Sequence, residues 1–152
     1  MTELALPQID RTTVSKKSLI VSQLKKFTNE ENVLSENEEI KPYETDGLAA
    51  YKQTPLAVVL PENTKEVSEI LKFCNEENIK VIPRGAGTGL SGGALPLQDA
   101  ILLGLGKFNK ILEIDFDNKC VVTQPGVTNL GITHAVQHKG YYYAPDPSSQ
   151  LA

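Results

Sequence analysis

The hydrophobic pattern changes character at Pro55. Upstream, Ile20, Leu24 and Phe27 recur at i, i+4 and i+7 with Lys25 and Lys26 turned outward, which predicts a helix over Ser18–Asn29. The acidic run Glu30–Glu39 predicts a further short, exposed helix or turn. Downstream, Leu56–Leu60 is a short apolar run between Pro55 and Pro61 and reads as a buried strand. Asn63 and Glu66 then form an N-x-x-E pair, the signature of a capped helix start. Val67, Ile70, Leu71 and Cys74 follow at i, i+3, i+4 and i+7, so Cys74 reads as a core thiol rather than a reactive one. Lys80–Pro83 is a second short strand. Strand, helix and strand at this spacing make a βαβ unit with parallel strands and a right-handed crossover.

Past the glycines that follow Pro83 the pattern is β-rich. Ala100–Leu105, Lys110–Asp115 and Lys119–Gln124 read as strands, with Asp117–Asn118 as the turn of a hairpin between the last two. Val127–Lys139 predicts a helix closed by Gly140, and Tyr141–Tyr143 a strand with alternate faces buried. A small parallel βαβ unit followed by mixed and antiparallel strands and helices is an α+β fold.

Length and composition narrow the function classes. A chain of 152 residues suggests one domain with a core of its own. Lys and Arg number 15 against 19 Asp and Glu, a net charge of -4 that speaks against a nucleic-acid groove or a polybasic membrane patch. The longest apolar stretches, Leu56–Leu60 and Ala100–Leu103, are far too short to span a bilayer. Glu3, Asp10 and Arg11 precede any hydrophobic run, unlike a secretory leader. Cys74 and Cys120 form no CxxC and read as free thiols in a reducing cytoplasm. Charge is dense as far as Asp46 and sparse over residues 82–108, which hold only Arg84, Asp99 and Lys107.

That charge-poor region carries the chemistry. Glycines crowd Pro83-Arg84-Gly85-Ala86-Gly87-Thr88-Gly89-Leu90-Ser91-Gly92-Gly93. Glycine costs backbone entropy on folding, and such density serves a close approach of backbone to ligand. Successive N–H groups in a glycine-rich turn converge into a concavity that binds phosphate oxygens. Thr88 and Ser91 add hydroxyl donors, and Arg84 adds charge. The loop also leaves the carboxyl end of a parallel strand, where ligands bind in open α/β sheets. Gly87–Gly92 matches GxGxxG, yet Pro96 and the strand at Ala100 leave no room for the helix that a Rossmann turn must open. A Walker A loop fails too, because no lysine occurs between Lys80 and Lys107. The residues alone point to a backbone cradle for a diphosphate in a non-Rossmann setting.

The run Val81–Pro96 resembles the pyrophosphate loop of the FAD-linked oxidases of the vanillyl-alcohol-oxidase type, which carry PCMH-type FAD-binding domains. Pro42–Tyr51, Gln124-Pro125-Gly126-Val127 and Tyr142–Gln150 are similar to segments of one branch of that family, the FAD-binding D subunits of bacterial glycolate oxidase. The resemblance runs in order from about Val33 to Ala152. It implies a flavin domain of two α+β subdomains with FAD between them. Residues 1–46 would be a helical lead-in and 47–152 the N-terminal subdomain, the second subdomain and the cap domain lying beyond Ala152. It further implies that Pro83, Arg84, Gly85, Ala86, Gly87, Thr88, Gly89, Leu90, Ser91, Gly92 and Gly93 wrap the pyrophosphate. Pro145, Asp146, Ser148 and Ser149 would lie along the same cofactor, with Gly126 a further candidate.

The activity implied is flavin-dependent oxidation of a small 2-hydroxy acid, glycolate or D-lactate, to the 2-oxo acid. Implied surroundings are the cytoplasm or the periphery of the inner membrane, with an iron–sulfur subunit as partner and self-association through an exposed apolar edge. A second reading is a non-catalytic module that needs a complementary chain to bind FAD. No residue is assigned a catalytic or metal-ligating role. His134 and His138 stand at i, i+4, but Ala135 occupies the place of a zincin glutamate and no third ligand is near in sequence. Tyr43 and Asp46 match the family pattern without an evident role.

Overall fold

The computed structural model describes residues 7–145. Fourteen elements reduce to two sheets and their covering helices. The larger sheet holds four strands in the order β1 (Val33–Leu34), β2 (Ala57–Val59), β4 (Ala100–Gly104) and β3 (Lys80–Arg84). β2 and β3 each run parallel to β4, and β1 is antiparallel to β2. The smaller sheet is the antiparallel hairpin of β5 (Ile111–Asp115) and β6 (Cys120–Thr123).

Side-chain alternation explains why β2 and β4 lie inside. Ala57, Val59, Ile101 and Leu103 face one cluster, together with Ile20, Val21 and Leu24 of α2 (Lys17–Leu24) and Ile70 and Cys74 of α4 (Thr64–Glu76). Val58 and Leu102 point the other way, onto Ile40 of α3 (Asn37–Ile40), with Leu34, Tyr43 and Leu60 against them. Strands apolar on both faces can only be satisfied between two layers.

The expected βαβ unit is present as β2, α4 and β3, but its strands are not neighbours. β4 inserts between them, with Ile101 opposite both Ala57 and Val81. The expectation that the strands after the glycine loop are antiparallel therefore fails for the first of them, because every residue of β4 is buried and needs the interior place. It holds for β5 and β6, whose turn is closed by Asp115 accepting from the Asn118 N–H at 3.0 Å.

The start of α4 follows its signal closely. Asn63 Oδ1 accepts from the Glu66 N–H at 3.0 Å, while Glu66 reaches back one residue further than expected, to the Glu62 N–H. Its end is a left-handed cap at Asn78 (φ 56), with the Ile79 N–H returning to the Cys74 carbonyl at 2.7 Å. Leu71, expected on the buried stripe, is exposed.

Four further differences have local causes. The predicted Ser18–Asn29 helix stops at Leu24, where Lys26 and Phe27 bond three residues back and tighten the turn. The Glu30–Glu39 run splits into a 3-10 turn, β1 and α3, because Val33 pairs with Val59. The last helix, α5 (Asn129–Val136), begins two residues later than Val127 because Thr128 caps it, accepting from the Gly131 N–H. A 3-10 turn then leads to Gly140, left-handed at φ +77 as expected. Tyr141–Tyr143 form no strand, and all three rings are exposed.

One buried charge ties the outer parts together. Asp99, 2% exposed, accepts from Lys80 Nζ at 2.7 Å and from the Asp10 N–H at 2.7 Å; Asp10 caps the short helix α1 (Arg11–Ser15). Burial alone would raise the Asp99 pKa, but the Asp10 bond and Lys80 outweigh it and hold it below the ordinary 3.8. A carboxylate with a lowered pKa contributes its stability above the unfolded value and loses it as pH falls through the folded one. Asp99→Asn is expected to cost about 2 kcal/mol at pH 7. The gap from wild type should narrow as pH drops below ~4. Urea unfolding of both proteins at neutral and acid pH measures it, and an unchanged gap in acid contradicts the assignment.

Candidate functional site

The glycine-rich segment leaves the carboxyl end of β3. Arg84 pairs there with Gly104 of β4, and its carbonyl accepts from the Leu105 N–H at 2.9 Å. Residues 85–99 contain no helix, so the GxGxxG string does not open a Rossmann turn. Gly87 and Gly92 both adopt φ +73, the left-handed conformation from which anion-binding turns of converging N–H groups are built.

Whether the loop suits a diphosphate is tested by the space it leaves. A Cβ built on Gly85, Gly89 or Gly93 meets no atom within 4 Å, so these backbones face open space. Pro83, Gly85, Ala86, Thr88, Gly89, Ser91 and Gly93 are exposed, and Leu90 is 74% exposed. Exposed backbone with hydroxyl donors beside it, and room for a ligand where side chains would otherwise stand, is what phosphate oxygens require, and the residues fit the group.

Arg84 stands at the foot of this loop. One guanidinium N–H donates to the Tyr43 carbonyl at 3.1 Å, and Cζ lies 5.8 Å from the Tyr43 ring centroid. A Cβ on Gly87 would come within 2.7 Å of Arg84 Cζ, so the cation and the loop are in immediate contact.

Asp46 and Gly47 matter in a way their sequence context did not reveal. Asp46, 5% exposed, accepts from the Leu48 N–H at 2.9 Å and from the Ala94 N–H at 3.3 Å, 48 residues along the chain. Gly47 packs so tightly that a Cβ would sit 2.6 Å from the Thr88 carbonyl oxygen and 2.7 Å from that of Gly89. Asp-Gly read locally is only a turn signal.

Gly126 has a packing role. Its N–H donates to the Phe108 carbonyl at 2.9 Å, and a Cβ there would collide with the carbonyls of Leu105 and Phe108. Pro145 is exposed. Asp146, Ser148 and Ser149 lie outside the described residues. His134 and His138 are exposed, His138 edge-on to Phe116 at 6.0 Å, and the described residues hold no cluster of three or more metal-ligating side chains. Burial pushes the Cys74 thiol up to about 11, which fits an inert core cysteine; Cys120 is exposed. A cleft of about 320 Å³ lies between the β5–β6 hairpin, α5 and Tyr141–Tyr143, and no glycine-loop residue lines it.

Comparison with known proteins bears on what occupies the loop. Residues 55–151 match the family described as FAD binding domain. The glycolate oxidase subunit GlcD of Escherichia coli (strain K12) is 47% identical over 148 residues, covering 97% of this chain and 28% of that protein. The D-lactate dehydrogenase of Archaeoglobus fulgidus is 44% identical over 95 residues, covering 62% of this chain and 21% of that protein. Among solved structures, p-cresol methylhydroxylase with substrate bound superposes with a TM-score of 0.72 at 26% identity, covering 87% of this chain and 26% of that one. The chain thus spans under a third of the length of these relatives.

Proposed function

The chain belongs to the family of FAD binding domains, and on that premise we propose that residues 83–93 hold the diphosphate of FAD within an oxidoreductase that converts glycolate or D-lactate to the 2-oxo acid. The observation that carries the cofactor assignment is the open, outward face of Gly85, Gly89 and Gly93 beside the left-handed Gly87 and Gly92. The substrate class is supported by relatives named for glycolate oxidation and D-lactate dehydrogenation. When bound, the flavin supplies the redox chemistry by taking up a hydride equivalent, and these residues bind and orient it. The loop N–H groups and the Thr88 and Ser91 hydroxyls donate to the phosphate oxygens, and Arg84 supplies a fixed positive charge. Pro145, Asp146, Ser148 and Ser149 are the second stretch along the cofactor.

Residues 1–46 serve as a lead-in that lends Ile20, Leu24 and Val33 to the core, and 47–152 form the N-terminal subdomain, a division supported by a family match that begins at residue 55. Cys74 and Cys120, both unpaired, support a cytoplasmic setting. None of the described helices is long and apolar enough to cross a membrane. Exposed Leu112, Val122 and Tyr142 support an association surface, for an iron–sulfur subunit or a second copy.

A competition titration tests the cofactor assignment. FAD and ADP, which share the diphosphate, are expected to displace one another, whereas riboflavin displaces neither. Displacement by riboflavin as effective as by ADP means that the loop is not the binding element.

A further inference from the structure

The glycine loop does not hold its own shape. Glycines are the residues least able to do so, since each samples both signs of φ freely. Residues 43–48 lie against it. Three contacts join the two segments. Arg84 at the loop's foot donates to the Tyr43 carbonyl. The Gly47 backbone approaches the Thr88 and Gly89 carbonyls so closely that a Cβ would sit 2.6 and 2.7 Å from their oxygens. Asp46 accepts from the Ala94 N–H where the loop descends. The second Asp46 oxygen accepts from the Leu48 N–H, which fixes the carboxylate's direction.

The segment behind these contacts is itself closed. Gln53 N–H donates to the Glu44 carbonyl at 2.8 Å, Tyr51 N–H to the Leu48 carbonyl at 3.2 Å, and Thr45 Oγ1 to the Tyr51 carbonyl at 3.0 Å. A small self-bonded loop therefore presents one buried acceptor and one bare backbone patch to a neighbour that has few constraints of its own.

We infer that Asp46 and Gly47 are positioning residues that preorganise the glycine loop for the diphosphate without touching the cofactor. The inference rests on the reading of that loop as the FAD cradle. Its logic is that a flexible ligand loop binds weakly in proportion to the ordering it must undergo, and ordering it beforehand raises affinity. Gly47 is the sharper probe. Its φ lies outside the left-handed region, so alanine suits its backbone, and the atoms nearest the added methyl belong to the loop, at the Thr88 and Gly89 carbonyls. Asp46→Asn keeps an acceptor for Leu48 but sets an amide donor against one of the two N–H groups.

The test combines hydrogen exchange on the cofactor-free chain with FAD titration. In G47A, exchange at Ala94, whose N–H donates to Asp46, and at Leu95, whose N–H donates to the Gly92 carbonyl, is expected to rise at least 10-fold while Leu102 in β4 keeps its protection, and FAD affinity to fall at least 30-fold. D46N is expected to raise exchange at Ala94 by at least 10-fold, with a smaller loss of affinity, and it serves if G47A fails to fold. Loop exchange within threefold of wild type in the folded variants overturns the clamp, as does a rise in β4 equal to that in the loop. If the wild-type chain binds no FAD, binding by this chain alone fails in favour of a module that needs a complementary chain, whereas the exchange data still decide the clamp.

Discussion

Gly89→Asp is expected to leave the chain folded and to abolish FAD binding, with a loss of at least ~100-fold in affinity. Two features make this position decisive. A Cβ at Gly89 meets nothing within 4 Å, and the residue is not left-handed, so the substitution strains nothing in the protein. The carboxylate then projects into the space assigned to the diphosphate. Two like charges about 5 Å apart repel by roughly 3 kcal/mol at an effective dielectric near 20, and the diphosphate carries more than one. Gly87→Asp should lose FAD as well, but less cleanly. Its φ of +73 penalises any side chain, and the new group runs into Arg84, so a drop in melting temperature accompanies the effect. Paired thermal melts and FAD titrations separate the two cases. Stoichiometric FAD on a folded Gly89→Asp chain would place the diphosphate elsewhere.

The second large effect concerns turnover. Supplied with FAD and an acceptor dye, the 152-residue chain is expected to oxidise glycolate and both lactate enantiomers at least ~100-fold more slowly than a whole glycolate oxidase D subunit, about 2.7 kcal/mol in barrier. Its side chains motivate this. Only Arg11 and Arg84 offer the bidentate fork that suits a substrate carboxylate. Arg84 is engaged with Tyr43 beneath the loop, and Arg11 sits exposed on α1. The histidines and the buried carboxylates are no better placed to act as a general base. His134 and His138 are exposed on and after α5, and the two buried carboxylates, Asp46 and Asp99, already accept hydrogen bonds from the fold. An acceptor-dye assay of both proteins side by side checks the expectation. Turnover within the stated factor would mean that the catalytic groups lie among these residues after all.

Local signals carried the elements whose causes are local. α4 begins at its Asn63 cap, the β5–β6 hairpin turns between Asp115 and Cys120, and Gly140 ends the last helical turn, each decided by contacts within a few residues. The glycine loop was legible for the same reason, since Pro96 and the strand at Ala100 leave the glycines no room to open a helix. The place of β4 was not legible. Its apolar run said only that both faces are buried, and the choice between an edge and the middle of the sheet depends on what β2 and β3 bury at the same time. β1 escaped notice because a two-residue strand has no period of its own and exists only through its pairing with β2.

The amino-acid sequence by itself determined the α+β class, the helix-free glycine loop of residues 83–93 and the core place of Cys74, because each rests on residue type and near-neighbour spacing. Only the tertiary structure decided that β4 runs parallel between β2 and β3, that Asp99 joins Lys80 to Asp10, and that Asp46 and Gly47 brace the loop. These are contacts between groups from 19 to 89 residues apart. A hydrogen bond to a backbone N–H leaves no trace in the identity of the residue that donates it, so Ala94 could not announce its partner.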